Sequence, residues 1–185
     1  AVIGIESSSR YAPRYTYEAL QAKWEAVTGS GKGALGNEWE NIPVTGVFWN
    51  NCKDFIQRLN GKFSGESGEF RLPTEAEWEH ACRAGGTGRF YFGDKDSALG
   101  EYAWYYNNAE QDVHLVGTLR ANAFGFHDMH GNVCEWCEDR YGDYPSGIVM
   151  APPGPSTGIY RVYRGGCWAD PVELCRSALR RWGRR

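Results

Sequence analysis

The segment YRGGCWADPVELCRSALRR, Tyr163 to Arg181, carries two thiols, Cys167 and Cys175, among arginines and beside Trp168. Such a set suits either redox chemistry on a pair of sulfurs or a surface whose tryptophan and arginine side chains anchor a partner. Upstream, DMHGNVCEW brings Asp128 and Glu135 to either side of Gly131. The two carboxylates offer hard oxygens, and a glycine turn between them can aim backbone carbonyls inward, the ingredients of an oxygen-ligated Ca²⁺ site. The competing reading is a turn whose carboxylates cap backbone N–H groups or face solvent. CEWC, Cys134 to Cys137, invites a zinc or redox reading. Zinc needs four ligands, the sequence has no second CxxC, and residues three apart on a strand point to opposite faces. The two thiols therefore read as unrelated, with His127 and His130 ahead of the turn and His130 facing out.

Three helices can be placed to position these groups. In TYEALQAKWEAVTG, Leu20, Trp24 and Val27 recur at helical spacing, Thr16 can cap the start and Gly29 follows the end. In NNCKDFIQRLNG, Phe55, Ile56 and Leu59 share a face and Gly61 is the expected stop. In PTEAEWEHACRAGG, Thr74 and Glu77 form a capping box, Glu75 and Glu79 add negative charge near the N-terminus, and Arg83 lies near the C-terminus. Trp78 and Cys82 mark its buried stripe. Beyond Gly86 the helical period is lost. RFYFGD and YAWYYNN read as brief strands among ordered loops, and IYRVYRGG as a strand with Tyr160, Val162 and Arg164 on one side and Arg161 and Tyr163 on the other.

With 185 residues the chain can bury one sizeable core. Its net charge of −3 gives no basic footprint for nucleic acid, and a mean hydropathy of −0.56 with no long apolar run argues against a membrane span. No signal peptide is visible, which leaves the compartment open. Six cysteines in a chain with this much core read mostly as free thiols. Aromatics at 15% and 24 glycines point away from a helical bundle and towards turns around large rings. The expectation is a single α+β domain over 1–185, irregular and loop-rich in its second half.

Four stretches resemble the formylglycine-generating-enzyme (sulfatase-modifying-factor) family: RLPTEAEWEHACRAG, NAFGFHDMHGNVCEWCED, the YPSG to YRVYRGGCW run, and CRSALR. The resemblance covers roughly residues 16 to 181 in order, and implies a C-type-lectin-like α+β fold. Family members open with a further strand and close with one ending Gly-Phe-Arg. Residues 1–15 match poorly and the chain stops at Arg185, so the domain reads as cut short. The resemblance also implies calcium held by Asp128, Glu135 and the carbonyls of Gly131 and Val133.

Active members oxidise a cysteine of a sulfatase peptide to formylglycine with a copper-binding cysteine pair, whose soft thiolates suit Cu(I). The pair follows RGGS, with its first cysteine three residues after the serine and its second five further on. In this chain Cys167 stands at the serine, Asp170 at the first cysteine and Cys175, by count, at the second, although CRSALR equally matches a structural block of members without the pair. A hard carboxylate suits Cu(I) poorly, so Cys167 and Cys175 are expected to lie apart and not to be catalytic. A family branch that makes sulfoxides with non-haem iron uses a separate histidine-rich domain, and this chain has four scattered histidines. The same fold serves in variable proteins of diversity-generating retroelements, whose C-terminal segment is a hypervariable binding surface. There the resemblance places Cys167, Ala169, Asp170, Val172, Glu173, Leu174, Leu179, Arg181 and Trp182, with Trp168, Cys175 and Ala178 holding the backbone from inside and Asp170, Glu173, Arg181 and Trp182 exposed. The expected function is therefore binding of a protein or peptide ligand. The alternatives are a copper-dependent formylglycine-generating oxidase and a purely structural domain of a larger assembly.

Overall fold

The computed structural model describes residues 21–29, 41–63, 69–144, 146–147 and 154–184. Three helices, α1 (Gln21–Thr28), α2 (Trp49–Lys62) and α3 (Glu75–Arg83), precede three strands, β1 (Glu135–Arg140), β2 (Tyr160–Arg164) and β3 (Arg181–Arg184). The strands form one antiparallel sheet with β2 in the middle. Glu135 pairs with Arg164 and Trp136 with Tyr163, then a bulge shifts the register so that Arg140 meets Arg161. Val162 pairs with Trp182 and Tyr163 with Arg181 on the other side. No described helix is long and apolar enough to cross a membrane.

The helices form for the reasons their sequences give. In α3, Thr74 Oγ1 accepts from the Glu77 N–H at 3.2 Å, and Glu77 Oε2 accepts from the Thr74 N–H at 2.8 Å. Arg71 grips the same carboxylate with two bonds of 2.7 Å. That guanidinium holds the Glu77 carboxyl down at about 2. In α2, Cys52, Phe55 and Ile56 are buried as their spacing requires, and Trp24 of α1 stacks on Phe55 at 4.9 Å. The expected stop at Gly61 is wrong: the helix runs through it to Lys62, and the Phe63 N–H still reaches Leu59 O at 3.1 Å. Gly61 has no positive φ, so it stays in the helix and merely weakens it. Thr16 and Leu20 lie outside the described residues.

The central strand is covered on both faces, which is why its burial does not alternate cleanly. On one face Val162 packs with Trp78 and Cys82 of α3 and with Met129 and Cys137. On the other, the Arg161 guanidinium lies 3.8 Å over the Trp49 ring of α2, and the Trp49 indole donates to Cys137 O at 2.9 Å. The aromatic runs after Gly86 are not strands, contrary to the sequence expectation. Phe90 and Gly93 close a single turn bridge on each other, while Phe90, Leu99, Ala103 and Tyr105 bury their side chains in a third cluster with Cys175. The rings are used to fill space between loops, and no partner strand is needed.

Trp78, only 1% exposed, is the largest fully buried side chain among the described residues. Trp78→Ala should cost about 3–5 kcal/mol in chemical denaturation, against about 1 kcal/mol for Thr74→Ala through loss of the cap. Comparable effects of the two would contradict this account of α3.

Candidate functional site

The turn before β1 gathers the first group. Asp128 takes a left-handed conformation (φ 56°), as do Gly131 (φ 83°) and Asn132 (φ 53°), a run in which glycine is the unstrained choice. A Cβ on Gly131 would stand 2.1 Å from Trp104 O, so that position is closed to every other residue. The Gly131 N–H donates to Gly165 O at 2.8 Å and the Asn132 N–H to Trp104 O at 2.7 Å.

Neither carboxylate of this turn faces solvent. Asp128 Oδ2 accepts from the Gly117 N–H at 2.7 Å, while its buried Oδ1 has no hydrogen-bond partner. Glu135 Oε2 accepts from the Trp78 indole at 2.6 Å. Burial raises the carboxyl of Asp128 above its ordinary value, and pushes that of Glu135 up to about 7. Two desolvated carboxylates, one of them with an orphaned oxygen, are donors of the kind that fit a hard cation. Residues Asp128, Gly131, Val133 and Glu135 are all buried there.

His130 corrects the sequence reading. It is fully buried, stacked on Tyr91 at 4.8 Å, and its Nε2 accepts from the Tyr91 N–H at 3.3 Å. Burial pushes its pKa down to about 3, so it is a neutral acceptor inside the fold.

The C-terminal segment forms the second group. Gly165 and Gly166 both take positive φ, and a Cβ on Gly166 would stand 2.9 Å from Cys175 Sγ. The turn therefore passes tightly over Cys175, which is fully buried among Phe90, Leu99 and Tyr105. Burial drives its thiol up to about 12. Asp170, expected on the surface, is only 6% exposed. Its Oδ2 accepts from the Cys167 N–H at 2.9 Å and from Arg181 Nη1 at 2.6 Å, and these two bonds fix the loop. Ala178, expected inside, is exposed, and the buried neighbour is Ser177. Ala169, Glu173 and Trp182 are exposed, whereas Cys167, Trp168, Leu174, Leu179 and Arg181 are half-buried. Val172 is half-buried too and packs on the Phe90 cluster. Trp182 leans on Tyr160, their centroids 4.3 Å apart.

One partnership escaped the sequence. Cys134 and Cys137 are indeed separated, Cys137 entering the core with Trp78. Cys134 instead meets Cys167: their sulfurs and a carboxylate oxygen of Asp170 lie within 4.8 Å of one another. The hydrogen bond between the thiols raises Cys134 well above the ordinary thiol range and lowers Cys167. Both cysteines line a cleft of about 380 Å³ with Val47, Trp136, Tyr163 and Arg181. CEWC flagged the thiol, but it takes the pairing of β1 with β2 and the loop bonds beyond it to bring that thiol near Cys167.

Against known proteins, residues 8–185 match the sequence profile of the sulfatase-modifying factor enzyme 1-like domain. The chain is 36% identical over 185 residues to a Chlamydia caviae serine/threonine-protein kinase pkn1, covering 95% of this chain and 27% of that protein. It is 35% identical over 168 residues to a Streptomyces coelicolor formylglycine-generating enzyme, covering 83% of this chain and 50% of the enzyme. It thus spans half or less of these relatives. Treponema denticola variable protein 1 superimposes with a TM-score of 0.79 at 26% identity, over 99% of this chain and 88% of the other. The fold is the expected α+β, C-type-lectin-like one.

Because His130 is neutral when folded, the unfolded chain takes up its proton first as pH falls from about 6.5. Its contribution to stability is intact above that pH and is lost as pH drops through about 3. Urea midpoints across this window should fall, and His130→Gln should flatten part of the slope; parallel profiles for the two proteins would contradict a buried neutral imidazole.

Proposed function

Since the chain belongs to the sulfatase-modifying factor enzyme 1-like family, we propose that it is a non-catalytic member whose C-terminal segment binds a protein or peptide ligand. The observation that carries this reading is the state of the two positions that would hold a copper pair. Asp170 is engaged by Arg181 and the Cys167 N–H, and Cys175 is sealed in the core. Position 170 offers a hard carboxylate where a thiolate is needed, and the Cys175 thiol is closed off, so the two do not serve soft metal and substrate together.

What the segment offers outward is suited to binding. Trp182 is 49% exposed, and Tyr141, Tyr144 and Ile159 are also exposed. Tryptophan, tyrosine and arginine are the side chains that most often dominate interface energetics. Ala169, Glu173 and Trp182 supply exposed positions that can differ in chemistry while the buried Asp170, Cys175 and Ser177 keep the backbone in place. The variable protein that shares the fold over nearly the whole chain supports the same reading.

Calcium belongs to this reading as a structural ion. Asp128 and Glu135, with the carbonyls of Gly131 and Val133, would hold it, and the orphaned Asp128 Oδ1 is what favours a cation there. A cation bound only by the folded state stabilises it by mass action. Chelator should lower the melting temperature, calcium should restore it, and Asp128→Ala should remove the response. A melting curve unchanged by excess chelator would contradict the site.

The binding reading is tested with peptides selected on the wild-type protein from a displayed random library. Trp182→Ala and Glu173→Ala should weaken them by about tenfold or more, that is 1.4 kcal/mol. Their unfolding free energies should stay within about 0.5 kcal/mol of wild type, as for other surface changes. Conversion of a sulfatase-type cysteine peptide to formylglycine by the copper-loaded protein, detected by mass, would overturn the non-catalytic assignment.

A further inference from the structure

We infer that Cys134, Cys167 and Asp170 form a zinc site beside the cleft next to β1, a donor set that includes one of the two copper-pair positions and none of the proposed calcium ligands. Among the described residues, two sulfurs and a carboxylate oxygen from these side chains lie within 4.8 Å of one another. Two thiolates bound to a tetrahedral zinc at about 2.3 Å each stand roughly 3.8 Å apart. The observed spacing therefore needs only a small adjustment to close around an ion.

The donor set decides which metal. Two sulfurs alone would suit Cu⁺, but the third donor is a hard oxygen, and a mixed thiolate and carboxylate set is one that borderline Zn²⁺ accepts. Charge points the same way. Two thiolates and a carboxylate carry −3, Zn²⁺ reduces this to −1, and the Arg181 guanidinium on Asp170, at 2.6 Å, supplies the remaining positive charge. That ion pair and the Cys167 N–H fix the carboxylate from behind, the role that outer hydrogen bonds play around ligating groups. They use only part of a carboxylate's acceptor capacity.

Access and geometry complete the case. Cys134 and Cys167 both line the cleft of about 380 Å³, which gives an ion an entry path. Three protein ligands leave the fourth position of a tetrahedron open beside the space that both sulfurs line, the arrangement of zinc sites that exchange a water for an added ligand. The cleft's other walls are mainly apolar or aromatic, Val44, Val47, Trp136 and Tyr163 among them, with Thr45 and Arg181 as the polar exceptions, so the added group would be a small donor on a mainly apolar or aromatic body. On binding, the thiol protons pass to solvent, so uptake of zinc is coupled to proton release. The site does not depend on the ligand-binding reading of the C-terminal segment.

The test uses the reduced full chain, desalted without oxygen and titrated with Zn²⁺ against a chromophoric chelator. One zinc per chain is expected, with proton release, and Co²⁺ in its place should show a thiolate charge-transfer band. Cys134→Ser and Cys167→Ser should each lose affinity by more than the roughly tenfold expected for Arg181→Met, which removes only an outer partner. Should the serine variants misfold, alkylation of the wild-type protein mapped by mass spectrometry decides: zinc should protect Cys134 and Cys167 together. The assignment is overturned if no zinc is retained, if alkylation of both thiols is indifferent to zinc, if Asp128→Ala rather than the cysteine variants abolishes binding, or if the pair captures only Cu⁺. A Cys134–Cys167 disulfide persisting under these reducing conditions would overturn it as well.

Discussion

Everything described for the C-terminal half hangs on Arg164, a guanidinium with no exposed surface at the end of the central strand. It is ion-paired with Glu75 and Glu79 of α3, and Nη2 donates to Ser177 O at 2.6 Å. Glu75 is shared with Arg180, through bonds of 2.7 and 2.8 Å, and accepts from Tyr144 at 3.1 Å. Burial alone would raise the Glu75 carboxyl, but the two arginines outweigh it and hold it below its ordinary value. A buried pair of this kind adds little over well-packed apolar residues, yet losing one partner typically costs about 3–5 kcal/mol. Its value lies in geometry: it ties α3, β2 and the returning segment to one another.

That arrangement is what makes the two functional groups possible. Gly165 and Gly166 follow Arg164 directly, and the Gly165 carbonyl takes the Gly131 N–H, so the carboxylate turn and the C-terminal loop are clamped to each other. Trp168 N–H donates to Asn132 O at 2.9 Å and repeats the clamp three residues on. Cys134 and Cys167 flank these bonds and are brought together by them. The loop's outward side chains are excused from this work.

How much of this was legible beforehand divides by the range of the interactions involved. The cap of α3, its buried stripe of Trp78 and Cys82, and the amphipathic face of α2 follow from neighbours three or four residues away, and the structure agrees. Gly61 misled because a propensity for ending helices is weak where the flanking face is well packed. Asp128 and Glu135 were legible as a pair of hard donors, but not as buried ones. His130, Asp170 and Ala178 were each placed on the wrong side of the surface. The positions of His130 and Asp170 depend on contacts with Tyr91 and Arg181, which no local pattern marks. The Cys134–Cys167 meeting lies beyond sequence reading for the same reason, since 33 positions separate the two and strand pairing together with the loop bonds aligns them.

The bonds that tie the helices to the sheet have a consequence in time. Arg164 reaches Glu75 across 89 positions, Trp49 reaches Cys137 across 88, and Arg180 reaches Glu75 across 105. Each closure sacrifices the wandering of a long loop before any contact rewards it. The helices precede the strands in the chain, and α3 keeps an apolar face uncovered until β1 and β2 arrive. Such topologies fold in the slower range of single domains, milliseconds to seconds. The nascent chain therefore passes through an interval in which Trp49 and Trp78 still lack the Cys137, Arg161 and Val162 side of their cover, and a chain held in that interval is the one exposed to wrong partners.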